Sequence, residues 1–181
     1  MSLIADIRKI TTDTVDKIQA KEQRIQEHEK ERENWSAARF SEVQAQLQAD
    51  MSTIHREALR AVTQRVEQYK ESVFAAHMLD GSKLTPDANL LNANFGLTSA
   101  DLNAMLERCT GNRTMERLVH RYASENSLVL AHRFYSAEEK AEAAESLITY
   151  ARSVIQRPEY FDIMGTDEYF EQVLPEAIRG E

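Results

Sequence analysis

Residues 40–76 read FSEVQAQLQADMSTIHREALRAVTQRVEQYKESVFAA, a stretch without glycine or proline in which apolar side chains recur at helical spacing. Its main apolar positions repeat every 11 residues, as in Phe40, Met51 and Val62. An 11-residue repeat corresponds to about 3.67 residues per turn and favours nearly straight or gently right-handed packing against a neighbour. The stretch therefore predicts a long helix with one continuous apolar face.

Helix-forming composition extends from this stretch back to Leu3 and forward to Met78, because neither glycine nor proline occurs before Gly81. Residues 26–34, QEHEKEREN, interrupt the apolar pattern and contain no apolar side chain. They are either a solvated part of one continuous helix, which is the interpretation we favour, or a turn between two helices. Upstream of them the apolar seam is thin, with isoleucines and threonines at spacings of three and four.

The length of this helical arm implies that it folds back on itself, packs against other chains or stands partly in solvent. At about 1.5 Å per residue it would reach about 110 Å, which is longer than a domain of this size is wide. We therefore expect self-association through residues 36–78, in coiled-coil or bundle form. Docking of the arm on its own C-terminal domain is the alternative. The predicted oligomer interface consists of the apolar stripe Phe40, Val43, Leu47, Met51, Ile54, Ala58, Val62, Tyr69 and Val73.

After the arm, the sequence predicts a small domain of short helices. Asp80-Gly81 supplies a helix end, because glycine accepts the left-handed backbone conformation that a helix C-terminus often needs. Residues 127–135 fit either a short strand or a helix. The fold class is therefore all-α, with a long helical arm at 1–79 and a small helical domain at 80–181. Residues of the N-capping type open the later helices: Thr98, then Asn112 or Thr114, then Ser136 with Glu139.

Charge is distributed unevenly and bears on the class of partner. The 181 residues have a net charge of −8, and residues 136–181 contain four basic and eleven acidic side chains. Such an acidic end repels phosphate backbones, so we do not expect nucleic acid as the main partner. The same tail contains four aromatic residues, which either close the core or form a segment that docks on a partner: Tyr160, Phe161, Tyr169 and Phe170.

One basic cluster has regular spacing. Arg113, Arg117 and Arg121 lie four residues apart and form a stripe along one predicted helix. The stripe supports an alternative function, a regulatory or adaptor module that binds a protein or nucleic acid. We expect instead that it pairs with the acidic residues of the following helix, Glu138, Glu142 and Glu145.

No catalytic motif accompanies this architecture. The five histidines are scattered, without zinc-ligand spacing, and the glycines form neither a nucleophile elbow nor a phosphate-binding loop. Cys109, the single cysteine, completes an apolar helix face and is interpreted as a buried core residue. We therefore expect a protein that is not an enzyme and has no metal or cofactor.

Two further features bear on localisation. No run approaches the roughly 20 apolar residues that a membrane helix needs. The N-terminus lacks the apolar segment of a secretory signal, and a lone cysteine is typical of a reducing compartment. A cytoplasmic protein that does not contact membranes is expected.

Residues 97–123, LTSADLNAMLERCTGNRTMERLVHRYA, resemble a segment of small proteins encoded among phage and prophage structural genes. The likeness lies in an L-T-x-x-D/E helix start followed by N-x-T-M-x-R-L-x-x-x-Y. The resemblance implies a role in phage morphogenesis, as a scaffold, head-associated or virion component, with location in the virion and other virion proteins as partners. It brings no catalytic residues. The positions that match are Asn112, Thr114, Met115, Arg117, Leu118 and Tyr122.

Overall fold

The structure is a computed structural model and describes residues 2–93, 95–161 and 174–179. All regular secondary structure in these residues is helical, so the predicted all-α class is confirmed. Short 3-10 segments lie outside the longer helices, at Arg32–Asn34, Gly81–Lys83, Pro158–Tyr160 and Glu176–Ile178. The described helices are α1 (Leu3–Lys30), α2 (Ala37–Ala76), α3 (Asp87–Asn92), α4 (Ser99–Arg108), α5 (Arg113–Glu125) and α6 (Ala137–Gln156).

The chain divides into two compact units. Unit 1 comprises Met1–Lys70 together with Ala141–Glu181, and unit 2 comprises Glu71–Lys140. One boundary lies within α2 and the other within α6. The sequence predicted a domain boundary at 79/80, at the glycine-containing turn. That position lies inside unit 2, since the boundaries between the units fall within helices and not at helix ends.

In unit 1, α1 and α2 form an antiparallel hairpin. Asp6 accepts a hydrogen bond from Arg65 at 2.7 Å, and Asp50 accepts one from Lys21 at 2.9 Å. The paired residues are 59 positions apart in the first ion pair and 29 in the second, which lies nearer the turn. This decrease is what an antiparallel pair of helices requires. Of the two interpretations of residues 26–34, the continuous helix is wrong, because α1 ends at Lys30 and α2 begins at Ala37.

The turn between α1 and α2 is built around a cluster of aromatic rings. His28 stacks on Phe40 with 4.3 Å between ring centroids, and Trp35 meets the His28 ring edge-on at 5.4 Å. Nε2 of His28 donates to the backbone carbonyl of Phe40 at 3.1 Å, since a carbonyl can only accept. Ser36 then caps α2 by accepting from the Arg39 N–H. We call His28, Trp35 and Phe40 the turn cluster.

The core of unit 1 draws on three helices. In α1 the buried threonines satisfy their hydroxyls within the helix, as Thr11 does by donating to the Ile7 carbonyl at 3.0 Å. Lys70 of α2 pairs with Glu145 of α6 at 2.8 Å. Buried apolar residues come from α1 (Leu3, Ile7, Val15, Ile18), from α2 (Ala58, Val62, Val66, Tyr69) and from α6 (Ala144, Leu147, Ala151, Val154, Ile155).

Unit 2 is organised around α4 and α5. Thr98 and Asp101 form a capping box at the start of α4, and Asn112 caps α5 by accepting from the Met115 N–H. Between residues 127 and 135 the chain is irregular, neither strand nor helix. The core of the unit contains Leu102, Met105, Val119, Tyr122 and Ala123, with a second group of Ala88, Cys109 and Met115. Cys109 is thus the buried core residue that its helix position predicted.

Candidate functional site

The exposed large apolar side chains of unit 2 are concentrated in one stretch of chain. Among the described residues seven large apolar side chains are exposed, and six of them lie between residues 74 and 95. Isolated exposed apolar residues are normal, whereas a concentration of them typically marks an interaction site. We call this set the 74–95 surface: Phe74, Met78, Leu79, Leu84, Leu90 and Phe95.

An apolar groove of ≈ 460 Å³ adjoins two of these residues, Leu79 and Leu84. Two hydrogen bonds hold the 80–84 segment beside α5. The Asp80 N–H donates to the Thr114 hydroxyl at 3.1 Å, and the Asn112 amide donates to the Lys83 carbonyl at 2.7 Å. The rest of the groove is lined mainly by residues of α3 and α5. The apolar ones include Ala88, Leu91, Leu118 and Tyr122, and the polar ones include Arg121 and Glu125. A groove of this size accommodates apolar side chains of a partner.

A second cavity in unit 2 has a different character. It measures ≈ 380 Å³ and is lined by α4, α5, residues 131–135 and Lys140. Asn103 on α4 accepts a hydrogen bond from the Ala131 N–H at 3.0 Å and thereby fixes the irregular segment at its position. We call it the His120 cavity, and its charged and imidazole side chains are Glu107, Arg113, Glu116, His120, His132, Arg133 and Lys140.

Hydrogen bonds fix several charges of this cavity. The Glu116 carboxylate accepts from the Gly111 N–H and from Arg113, each at 2.9 Å. Arg133 donates a hydrogen bond at 2.9 Å to Glu139, a residue that does not line the cavity. The guanidinium of Arg133 lies 4.9 Å from the centre of the Tyr135 ring. These contacts restrain Arg113 and Arg133 while leaving further guanidinium N–H groups for a ligand.

His120 lies beside the aromatic wall of the cavity. Its ring centroid is 5.3 Å from that of Phe134. Burial lowers the pKa of His120 below its ordinary value of 6.5, and the nearby charge of Glu116 opposes this effect. The imidazole is therefore neutral at pH 7, with one nitrogen that donates and one that accepts.

The structure separates the three arginines of the predicted stripe. Arg113 lines the His120 cavity, Arg117 donates to the His77 carbonyl at 3.4 Å, and Arg121 lines the apolar groove. A step of four residues advances about 400° around a helix, so the stripe drifts by about 40° at each step. The acidic partners that the structure shows lie on α5 itself, Glu116 for Arg113 and Glu125 for Arg121. Pairing with Glu138, Glu142 and Glu145, within the chain or between copies, stays a prediction.

The predicted oligomer interface divides into two parts. Ala58, Val62, Tyr69 and Val73 are buried within the single chain. The other five positions retain partial exposure, and their contact with a second copy stays a prediction: Phe40, Val43, Leu47, Met51 and Ile54.

The aromatic tail is only partly described. Phe161 is half-buried, whereas Tyr169 and Phe170 lie outside the described residues, as does the side chain of Tyr160. Neither interpretation of the tail is therefore tested. The groove and the His120 cavity were not predicted. The sequence feature that could have indicated the groove is the pair of apolar residues on either side of Gly81, Leu79 and Leu84.

Comparison with protein-family models, with curated proteins and with solved structures finds no match to this chain. Across the described parts of the chain, no three histidine, cysteine or carboxylate side chains are grouped as they would be in a metal site. None of the helices described combines the length and the apolar character that a membrane span requires.

Proposed function

We propose that this protein is a non-enzymatic structural or assembly protein that self-associates, and that the 74–95 surface provides the main contact between copies. The observation that supports this most strongly is the concentration of six exposed apolar side chains in that surface. Exposure of apolar area to water is unfavourable by about 25 cal/mol per Å², so covering it favours association.

Self-association through α2 is the second part of the proposal. The half-buried positions from Phe40 to Ile54 lie in unit 1 and keep apolar area in solvent. The buried positions from Ala58 to Tyr69 serve the core of unit 1 instead. We therefore assign any α2 contact between copies to residues 40–54 and not to the whole stripe.

The assembly role that we propose is phage or prophage morphogenesis, as a scaffold, head-associated or virion component. Its support is the resemblance over residues 97–123, which belong to unit 2. Three of the matching positions, Thr114, Leu118 and Tyr122, line the apolar groove beside the 74–95 surface. The likeness and the exposed apolar surface thus concern the same part of the molecule.

A light-scattering experiment on the full chain at tens of micromolar tests the proposal. Leu84→Asp places a charge in the 74–95 surface and is expected to lower the average mass. Val129→Asp is the matched control, because among the described residues of unit 2 Val129 is the exposed large apolar side chain outside that surface, and it should leave the mass unchanged. Leu47→Asp with Ile54→Asp tests the α2 contact, with helicity monitored by circular dichroism. A wild-type protein that is monomeric at this concentration contradicts the proposal.

A further inference from the structure

Met78 is the most exposed side chain of the 74–95 surface, and it contains an oxidisable sulfur. In the described parts of the chain the methionines differ sharply in their exposure to solvent. Met78 exposes 73% of its surface and Met51 is half-buried, whereas Met105 and Met115 expose 2% or less. An oxidant in solution has to reach the sulfur before it can react with it. Met78 is therefore the described methionine that such an oxidant reaches most readily.

The backbone holds Met78 in this exposed position. His77, one residue earlier, is buried, and its carbonyl accepts a hydrogen bond from Arg117 at 3.4 Å. Two residues after Met78, the Asp80 N–H donates to the Thr114 hydroxyl at 3.1 Å. Both partners belong to α5, so the same helix fixes the chain on each side of Met78. The exposure of its side chain is thus a property of the fold of unit 2.

The residues next to Met78 in sequence are apolar and exposed as well. Phe74, four residues earlier, is 44% exposed, and Leu79, the next residue, is 59% exposed and lines the apolar groove. The thioether of methionine is apolar, polarisable and flexible, which suits it to contacts at adaptable binding surfaces. A second copy that covers the 74–95 surface therefore removes the sulfur of Met78 from water.

A peroxide converts this thioether into a sulfoxide. A lone pair of the sulfur attacks one peroxide oxygen and the O–O bond breaks. The departing hydroxide takes the proton from the oxygen now bound to sulfur and leaves as water, so the sulfur is oxidised and the peroxide is reduced. The sulfoxide is polar, and its oxygen accepts hydrogen bonds. Burying such a group without a donor is unfavourable enough to weaken a contact by about tenfold or more.

We propose that Met78 is an oxidation site, and that its conversion to the sulfoxide by a peroxide switches self-association off. This inference rests on the proposed function, since it requires that the 74–95 surface joins the copies. Association covers the sulfur, so the peroxide acts on copies that are dissociated. The change is reversible, because a methionine sulfoxide reductase restores the thioether.

The experiment compares the full chain before and after treatment with hydrogen peroxide. Peptide mass spectrometry measures the oxidised fraction of each methionine, and sedimentation equilibrium measures the dissociation constant. We expect Met78 to be oxidised before Met105 and Met115. Oxidation of Met78 should raise the dissociation constant by about tenfold or more, with helicity unchanged in circular dichroism. Treatment with a methionine sulfoxide reductase should then restore the original constant.

Met78→Leu is the matched control. Leucine has nearly the same volume and apolar character as methionine but contains no sulfur, so the untreated variant should associate like the wild type. The variant keeps every other methionine of the chain. Its dissociation constant should therefore be the same before and after peroxide, which separates the effect of Met78 from oxidation elsewhere.

The outcomes distinguish this inference from the proposed function. An untreated wild-type chain that is monomeric contradicts self-association itself, and the inference with it. A wild-type chain that associates, and keeps the same dissociation constant when Met78 is fully oxidised, overturns the inference alone. A peroxide effect that is equally large in Met78→Leu also overturns it. The wild-type comparison holds even if the variant fails to fold.

Discussion

Asp6 and Arg65 are 59 residues apart in sequence, yet their side chains form an ion pair of 2.7 Å. Both are largely shielded from water, with side-chain exposures of 21% and 28% respectively. The pair fixes the far end of the hairpin that α1 makes with α2. It shows how a chain without an early glycine or proline covers part of a long apolar stripe by folding back on itself.

This ion pair should contribute measurably to stability. A double-mutant cycle with Asp6→Asn and Arg65→Gln is expected to give a coupling energy of about 1 kcal/mol in urea unfolding, since a shielded pair is less screened than a surface one. The matched control is the exposed pair Arg39 and Glu42, three residues apart on α2, for which about 0.3 kcal/mol is expected. Equal coupling in the two cycles would argue against the hairpin.

The turn cluster makes a second prediction. His28→Ala removes the ring that stacks on Phe40 and the N–H that satisfies its carbonyl, so the free energy of unfolding should fall by about 2 kcal/mol. His132→Ala, at an exposed position, should change it by less than about 0.5 kcal/mol. Chemical denaturation followed by circular dichroism measures both. A His28→Ala variant as stable as His132→Ala would show that the cluster does not hold the turn.

Val62 distinguishes an intrachain core from an oligomer interface. Its side chain is fully buried in unit 1, so Val62→Ala should lower the free energy of unfolding by about 2 kcal/mol. Because the lost contacts lie within one chain, this difference should be the same at low and high protein concentration. If the loss grew with concentration, Val62 would belong to a contact between copies.

The capping box at the start of α6 predicts a dependence on pH. The Ser136 backbone N–H, and then Arg133, donate hydrogen bonds to Glu139 and lower its pKa below the ordinary 4.5. A lowered folded-state pKa means that the stabilisation is present above pH 4.5 and is lost as the pH falls through the lowered value. The stability advantage of the wild type over Glu139→Gln should therefore be constant near neutrality and shrink below pH 4.5.

The control for this effect is Glu138→Gln, which changes an exposed carboxylate one residue earlier in the same turn. This substitution leaves the hydrogen bonds to Glu139 in place, so the pH dependence assigned to Glu139 should be retained. Unfolding curves from pH 7 to pH 3 provide both comparisons. An advantage over Glu139→Gln that persists undiminished at pH 3 would contradict the assigned hydrogen bonds.

The features that sequence predicted well are local ones. The caps at Thr98, Asn112 and Ser136 depend on side chains that reach a backbone N–H three residues away, so neighbouring residues suffice to identify them. The break at residues 31–36 depends on His28, Trp35 and Phe40 meeting across the turn, and no local rule for glycine or proline marks it.

The sites of unit 2 illustrate the same limit. The His120 cavity requires α4, α5 and residues 131–135 to meet, and the hydrogen bond between Asn103 and Ala131 that fixes them spans 28 positions. The spacing of Arg113, Arg117 and Arg121 identified one surface of α5 but not the three separate environments that the helical drift gives them.

The most direct test of the central claim is the mass of the wild-type chain in sedimentation equilibrium as its concentration rises from 1 to about 100 μM, a range in which the weak to moderate affinities of protein association are resolved. Self-association through the exposed apolar side chains of residues 74–95 predicts that the mass rises from the monomer value of 20.7 kDa toward a multiple of it. A mass that remains at 20.7 kDa over the whole range would contradict it.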